Sequence, residues 1–323
     1  MKIGITAGDP AGIGLEIILK GIPSFLSRAA WVLFGETADF DANLHRFAPD
    51  LPWSPVTDLE NVQTGRLWFS STGNGPAAPW GPGTTETGRR ALAALEAGGQ
   101  RARSGELAAL VTAPLSKELV GPGFSGQTGF LKEHSGSARA AMSFFTRSFK
   151  VVLATTHLSL RDAISSLSRS SYVDLIGLID SEFQRYGYDC PRIAVAAVNP
   201  HAGEGGMFGT EDDLILKPAV LECEAGGIRV SGPYPADSVY QRAHAGEFDI
   251  VLAPYHDQGL IPVKLIAPRA AANVTLGLPY VRTSPDHGTA FAIAGRGTAE
   301  TGGMETAFEW ALELASRLEG TKT

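Results

Sequence analysis

The stretch DIVLAPYHDQGLIPVK, Asp249–Lys264, decides how the rest of the chain is read. Its first half, Ile250-Val251-Leu252-Ala253, is a short apolar run rich in β-branched residues, the pattern of a buried strand. Tyr255, His256, Asp257 and Gln258 follow its carboxyl end, then Gly259, with Lys264 one loop further on. Ligands in open α/β sheets sit beyond the carboxyl ends of strands. A site is therefore expected at His256. A His beside an Asp serves as a metal ligand, as an acid/base pair, or simply as a strand-end turn.

Two other apolar runs end in the same way: VVLATTH at His157 and IAVAAVNPH at His201. Three of the seven histidines thus follow buried strands, which one structural histidine would not explain. If the strands are neighbours in one sheet, the three side chains leave from one edge. Three imidazoles leave a coordination position open for a substrate oxygen. They suit Zn²⁺, Co²⁺, Ni²⁺ or Fe²⁺ better than Mg²⁺. If strand order separates them, they only hydrogen-bond to neighbours. His45, His134 and His244 lie in polar surroundings and read as solvated.

Outward from these strands the chain alternates strand and helix. Lys2 to Thr6 reads as a strand, followed by AGDPAGIGLEIILKGI, a Gly-rich turn opening a helix. Gly8, Gly12 and Gly14 do not fit the dinucleotide spacing G-x-G-x-x-G, so Asp9 and its neighbours read as a tight turn. Ala30 to Phe34 is a strand, and residues 71–83 are a Gly/Pro-rich arm. A helix capped at Thr84 or Thr85 carries Ala91, Leu92 and Leu95 on one face. Residues 107–112 are a strand and APLSKE a short helix. The pattern breaks over Gly121–Ser137, a candidate crossing between domains. Helices then follow at Tyr172–Tyr186, Glu211–Glu224 and Ala236–Ala245, and a last one at Met304–Leu318 is expected to pack on the first domain. The alternation predicts an α/β sheet with parallel strands. Lys264 and Arg282 flank an apolar strand containing Asn273, and together they are candidates to hold a phosphate or carboxylate.

Composition limits the function classes. A length of 323 residues allows two domains or one large one. A net charge of −7 argues against a nucleic-acid partner, which needs a basic face. Cys190 and Cys223 are too few and too isolated for a disulfide framework, and they fit a reducing cytosol. MKIGITAGDP is no signal peptide, and no apolar run approaches the roughly 20 residues of a membrane helix. The expectation is a soluble cytoplasmic protein without nucleic acid or membrane.

Seven stretches, ITAGDPAGIGLEI, VTAPLSKE, LATTHLSLRDA, NPHAGEGGMFGTED, GPYPADSVY, YHDQGLIPVK and NVTLGLPYVRTSPDHGTAFAIAGRG, resemble the 4-hydroxythreonine-4-phosphate dehydrogenase family in order and over nearly the whole chain. The resemblance implies two α/β/α domains with a cleft between them, like isocitrate and isopropylmalate dehydrogenases. It divides the chain into 1–125 plus 285–323 on the cofactor side and 126–284 on the metal and dimer side. It implies a homodimer with active sites at the interface. His157, His201 and His256 fall on the family's divalent-metal ligands, one supplied by the partner subunit. Gln127, Thr128, Lys264, Asn273 and Arg282 fall on substrate-binding positions, and Asp237 and Asp257 on acidic positions near the metal. His287, Gly288, Gly295 and Gly297 lie in a cofactor-side loop. The implied cofactors are NAD or NADP and a divalent metal (Zn, Co or Mg). The implied reaction oxidises the secondary alcohol of 4-phosphooxy-L-threonine, with loss of CO₂. Asp257 would move the hydroxyl proton or orient a ligand histidine.

One departure bears on the substrate. Where the family pattern runs Gly-His-Thr-Glu, this chain has Gly126-Gln127-Thr128-Gly129. Gln127 hydrogen-bonds but cannot carry charge or shuttle a proton. The same chemistry on threonate or erythronate 4-phosphate, or on a cyclohexadiene diol dicarboxylate, is an alternative. A non-catalytic metal- or ligand-binding homologue is another.

Overall fold

A computed structural model of the chain describes residues 1–320. The strands in chain order are β1 (Lys2–Thr6), β2 (Ala30–Glu36), β3 (Trp53–Pro55), β4 (Leu67–Gly73), β5 (Ala109–Thr112), β6 (Ala141–Phe145), β7 (Lys150–Leu153), β8 (Ile193–Ala196), β9 (Val230–Tyr234), β10 (Ile250–Ala253), β11 (Ala272–Leu276) and β12 (Val281–Pro285). The fold is α/β in two compact units. One comprises Met1–Ala140 with Leu278–Ser316, the other Ala141–Gly277 with the chain from Arg317 onward.

In the first unit the strands run in the order β3-β4-β2-β1-β5-β12, and every neighbouring pair is parallel. Parallel strands are covered on both faces, which is why β1, β2 and β5 read as apolar runs and are almost wholly buried. The helix Thr85–Arg103 starts on a capping box between Thr84 and Thr87 and buries Ala91, Ala94, Leu95 and Ala102. It lies very close to the sheet at Gly98, where an added Cβ would stand 2.9 Å from both Leu110 and Thr6. The helix Gly302–Gly320 is pinned in this unit by Phe308, whose ring packs edge-on against Phe25 and Trp31 at 5.3 and 5.0 Å.

In the second unit the order is β11-β6-β7-β10-β8-β9. The pairs β11/β6 and β6/β7 are antiparallel, and those from β7 through β10 and β8 to β9 are parallel. Its core joins Phe144, Val151, Leu153, Val251, Leu260 and Val263.

Three local readings are corrected. The segment after β10 is no loop: His256–Ile266 is a helix, and Lys264 lies on it. Gly259 and Pro262 hide that helix, since both disfavour it by propensity. Gly259 is needed all the same, because a Cβ there would stand 2.5 Å from Leu153. The break at Gly121–Ser137 contains a helix, Gln127–Ser135, which runs between Gly126 and a left-handed Gly136. His134 is not simply solvated: its ring stacks on Phe130 at 5.5 Å and its Nε2 is buried. No helix among the described residues is long and apolar enough to cross a membrane.

Candidate active site

The order of the second unit makes β7, β10 and β8 adjacent and parallel, so strand order does not separate the three histidines. His157 follows β7, His256 opens the helix after β10, and His201 follows β8. The rings of His157 and His256 lie 5.8 Å apart between centroids. They border a cavity of about 190 Å³ lined also by Thr155, Leu160, Tyr255 and Asp257. The strand ends that carry this pair are tied together. Ala154 N donates to Ala253 O at 2.8 Å, and Thr155 Oγ1 donates to Pro254 O at 2.8 Å.

His256 Nδ1 and Asp257 Oδ1 are 2.8 Å apart. A carboxylate on Nδ1 fixes the ring and the tautomer and leaves Nε2 as the basic nitrogen, the arrangement seen behind metal-ligating histidines. His157 and His201 both hold left-handed backbone with φ 52°. Such strain costs non-glycine residues about 1–3 kcal/mol and clusters at functional sites. Two close imidazoles, one with a carboxylate behind it, are a donor set that fits a borderline divalent cation.

His201 is held differently. It sits in a Gly-rich loop whose two ends meet through Asn199, Glu211 and Asp212. Asn199 holds the Glu211 carboxyl below its usual range. Among the described residues no three His, Cys, Asp or Glu side chains form a metal-holding group, so His201 does not complete the pair within one chain. Met207 and Phe208, on the same loop, and Leu158 and Leu160, beside the pair, are exposed apolar side chains. Asp237 is exposed in the first turn of the helix Ala236–His244. Lys264 is exposed on its helix, and Asn273 in β11 has its Oδ1 buried with no hydrogen-bond partner.

The first unit gathers a second cluster at a strand end. Arg282 in β12 is 3% exposed, so its charge is held inside the protein rather than in solvent. Its Nε and Nη2 donate to Thr112 Oγ1 at 3.2 and 2.7 Å, and Nη2 donates to Gln127 Oε1 at 3.1 Å. Gln127 Nε2 donates to Ala113 O at 3.0 Å, so both ends of the amide are engaged and its orientation is set. Burial pulls the Arg282 guanidinium down to about 10, which still leaves it charged at neutral pH. Thr128 follows in the first turn of Gln127–Ser135. Nothing in the sequence marks Thr112 as the residue that cradles Arg282, because it reads only as the last residue of a buried strand.

The loop from His287 to Gly297 packs on the turn that reads as plain in the sequence. Ile13 N donates to Thr289 O at 3.0 Å, and a Cβ on Gly12 would stand 2.8 Å from the same oxygen. Lys20 Nζ donates to Gly297 O at 3.0 Å. Gly295, with φ 74°, lies against Trp80 of the 71–83 arm. His287 Nδ1 and Gly288 O are 3.1 Å apart. Asp9 is buried, accepts from Ala11 N at 3.0 Å, and has its carboxyl pushed up by burial.

Comparison with known proteins shows the family and the fold. The family described as pyridoxal phosphate biosynthetic protein PdxA matches residues 20–311. A 4-hydroxythreonine-4-phosphate dehydrogenase of Beijerinckia indica is 39% identical, over 97% of this chain and 94% of that protein. A D-threonate 4-phosphate dehydrogenase of Salmonella typhimurium is also 39% identical, over 97% and 98%. The crystal structure of a 4-hydroxythreonine-4-phosphate dehydrogenase from Klebsiella pneumoniae, 38% identical, superposes with a TM-score of 0.88 over 97% of this chain and 99% of that one.

Proposed function

The chain belongs to the pyridoxal phosphate biosynthetic protein PdxA family, and from that premise we propose that it is an NAD(P)- and divalent-metal-dependent dehydrogenase. Its substrate is 4-phosphooxy-L-threonine, whose secondary alcohol is oxidised. The β-keto acid formed then loses CO₂ to leave 3-amino-2-oxopropyl phosphate. The observation that carries this reading is the His157–His256 pair at the ends of adjacent parallel strands, with Asp257 behind His256.

His157, His256 and His201 would hold the metal, and the His287–Gly297 loop would hold the nicotinamide nucleotide. When bound, the metal would supply Lewis acidity toward the substrate oxygen, and the nucleotide would supply a hydride acceptor. Asp257 keeps the His256 ring oriented. Arg282, held by Thr112 and Gln127, offers a fixed cation to an anionic substrate group. Gln127, Thr128, Lys264 and Asn273 complete the substrate contacts. The protein works as a homodimer with its sites at the interface. Exposed Met207 and Phe208 on the His201 loop, and exposed Leu158 and Leu160 beside the histidine pair, support a second copy covering them.

A second reading keeps the chemistry and takes D-threonate 4-phosphate. It is favoured by the equal identity to a dehydrogenase of that name and by Gln127, which cannot be charged. Nicotinamide reduction by the Zn²⁺- or Co²⁺-loaded protein decides between them. Turnover of 4-phosphooxy-L-threonine is expected. Turnover of D-threonate 4-phosphate alone replaces the substrate and keeps the class. No turnover of any hydroxy acid with Zn²⁺, Co²⁺ or Mg²⁺ overturns the enzymatic reading.

A further inference from the structure

The loop that carries His201 is closed on itself by side chains to which the reaction above gives no part. Asp212 is 1% exposed. Its Oδ1 accepts from Val198 N at 2.7 Å, and its Oδ2 accepts from Asn199 N at 3.0 Å and from Asn199 Nδ2 at 2.9 Å. Asn199 Nδ2 also donates to Glu211 Oε2 at 2.8 Å, so the start of the loop is bound to its end. Hydrogen bonds to a carboxylate are among the strong ones, and one buried without them would be costly. The closure leaves no room at Gly209: a Cβ there would lie 2.7 Å from the Asn199 side chain and from Glu211 Oε2. Asp212 itself begins a single π turn, Asp212–Leu216, a feature frequent at functional sites.

Within the closure, His201, Ala202 and Glu204 hold left-handed φ of 52°, 55° and 42°. Residues with a Cβ keep that conformation only where their surroundings impose it. The chain leading to His201 is also held from the other side. Gln258 Nε2 donates to Ala197 O at 2.8 Å, and Gln258 lies in the first turn of the helix that His256 opens.

We infer that Asp212 and Asn199 are positioning residues for His201. They hold its backbone in the left-handed geometry that presents the imidazole as a metal ligand, and Gln258 couples that geometry to the His256 helix. The inference rests on the reading of His201 as a ligand. A loop that was merely folded would not link these residues to metal affinity.

Calorimetric titration of the full-length apoprotein with Co²⁺, together with the visible spectrum of the Co²⁺ form, tests it. Asn199→Ala and Asp212→Asn are expected to weaken Co²⁺ binding by about 10- to 100-fold, as losses behind a metal ligand do, and to change the Co²⁺ spectrum. Glu211→Gln keeps an acceptor for Asn199 and should retain most of the affinity. Asp213→Asn, which alters only a surface pair with Lys217, should bind as wild type does. Wild-type affinity in Asn199→Ala and Asp212→Asn, with affinity lost in His201→Ala, overturns the inference and spares the ligand. An unchanged affinity and spectrum in His201→Ala removes the ligand reading and the inference with it. Should Asp212→Asn fail to fold, Asn199→Ala decides alone.

Discussion

The histidine pair of the second unit and the arginine cluster of the first occupy the same kind of place, the carboxyl ends of parallel strands, and are built in opposite ways. His157 and His256 border an open cavity, His157 with strained backbone, and two exposed leucines stand beside them. Arg282 is buried, with Thr112 and Gln127 around it in one chain. The difference separates two tasks. A cation that must meet an anionic group gains from being held beforehand, since little is reorganised on binding. If the histidines hold a metal as proposed, the set is short of its third imidazole within one chain and depends on loop geometry and on what covers it.

The largest effect should come from the histidine side. His256→Ala is expected to abolish tight Co²⁺ binding and to lower kcat by at least about a thousandfold, because it removes a ligand and the ring that Asp257 orients. Calorimetry and steady-state kinetics check this, and activity surviving in the variant would break the contrast at its root. Arg282→Lys comes next. Lysine lacks the planar fork that bonds Thr112 and Gln127 together, so KM should rise by on the order of 10- to 100-fold while Co²⁺ affinity stays at the wild-type value. A parallel fall in metal affinity would mean that the two clusters are not separable.

The smallest expected effect concerns the loop closure. The Glu211 carboxyl is held below its ordinary value of 4.5 by Asn199. Its contribution is therefore complete above that value and is lost as the pH falls through the lower, folded value. Protection of the Gly203–Gly209 amides, taken against the intrinsic exchange rate at each pH, should fall a few-fold between neutral pH and about pH 3. The loss of protection should be smaller in Glu211→Gln. Equal responses in the two chains would show that Glu211 does not hold the loop.

Much of this was legible in the chain. Apolar runs ending in His157, His201 and His256 report buried strands with polar side chains at their exits, because burial on both faces writes itself as continuous hydrophobicity. The helix Thr85–Arg103 is legible from its cap and its period. The helix His256–Ile266 is not, because Gly259 and Pro262 both disfavour it locally, and Gly259 answers to packing against β7. The closure of Asn199 on Asp212 is likewise invisible, since the residues pair across a glycine loop whose backbone has no sequence period.

The α/β alternation, the three strand-end histidines and the family can all be read from the linear chain. Those depend on local periodicity and on residue identity. The folded chain is needed to see that β7, β10 and β8 lie side by side, that Gln127 meets Arg282, and that the turn at Gly8–Gly14 packs on the His287–Gly297 loop. Strand order and such pairings arise from crossover connections between residues far apart in the chain, and no local pattern encodes them.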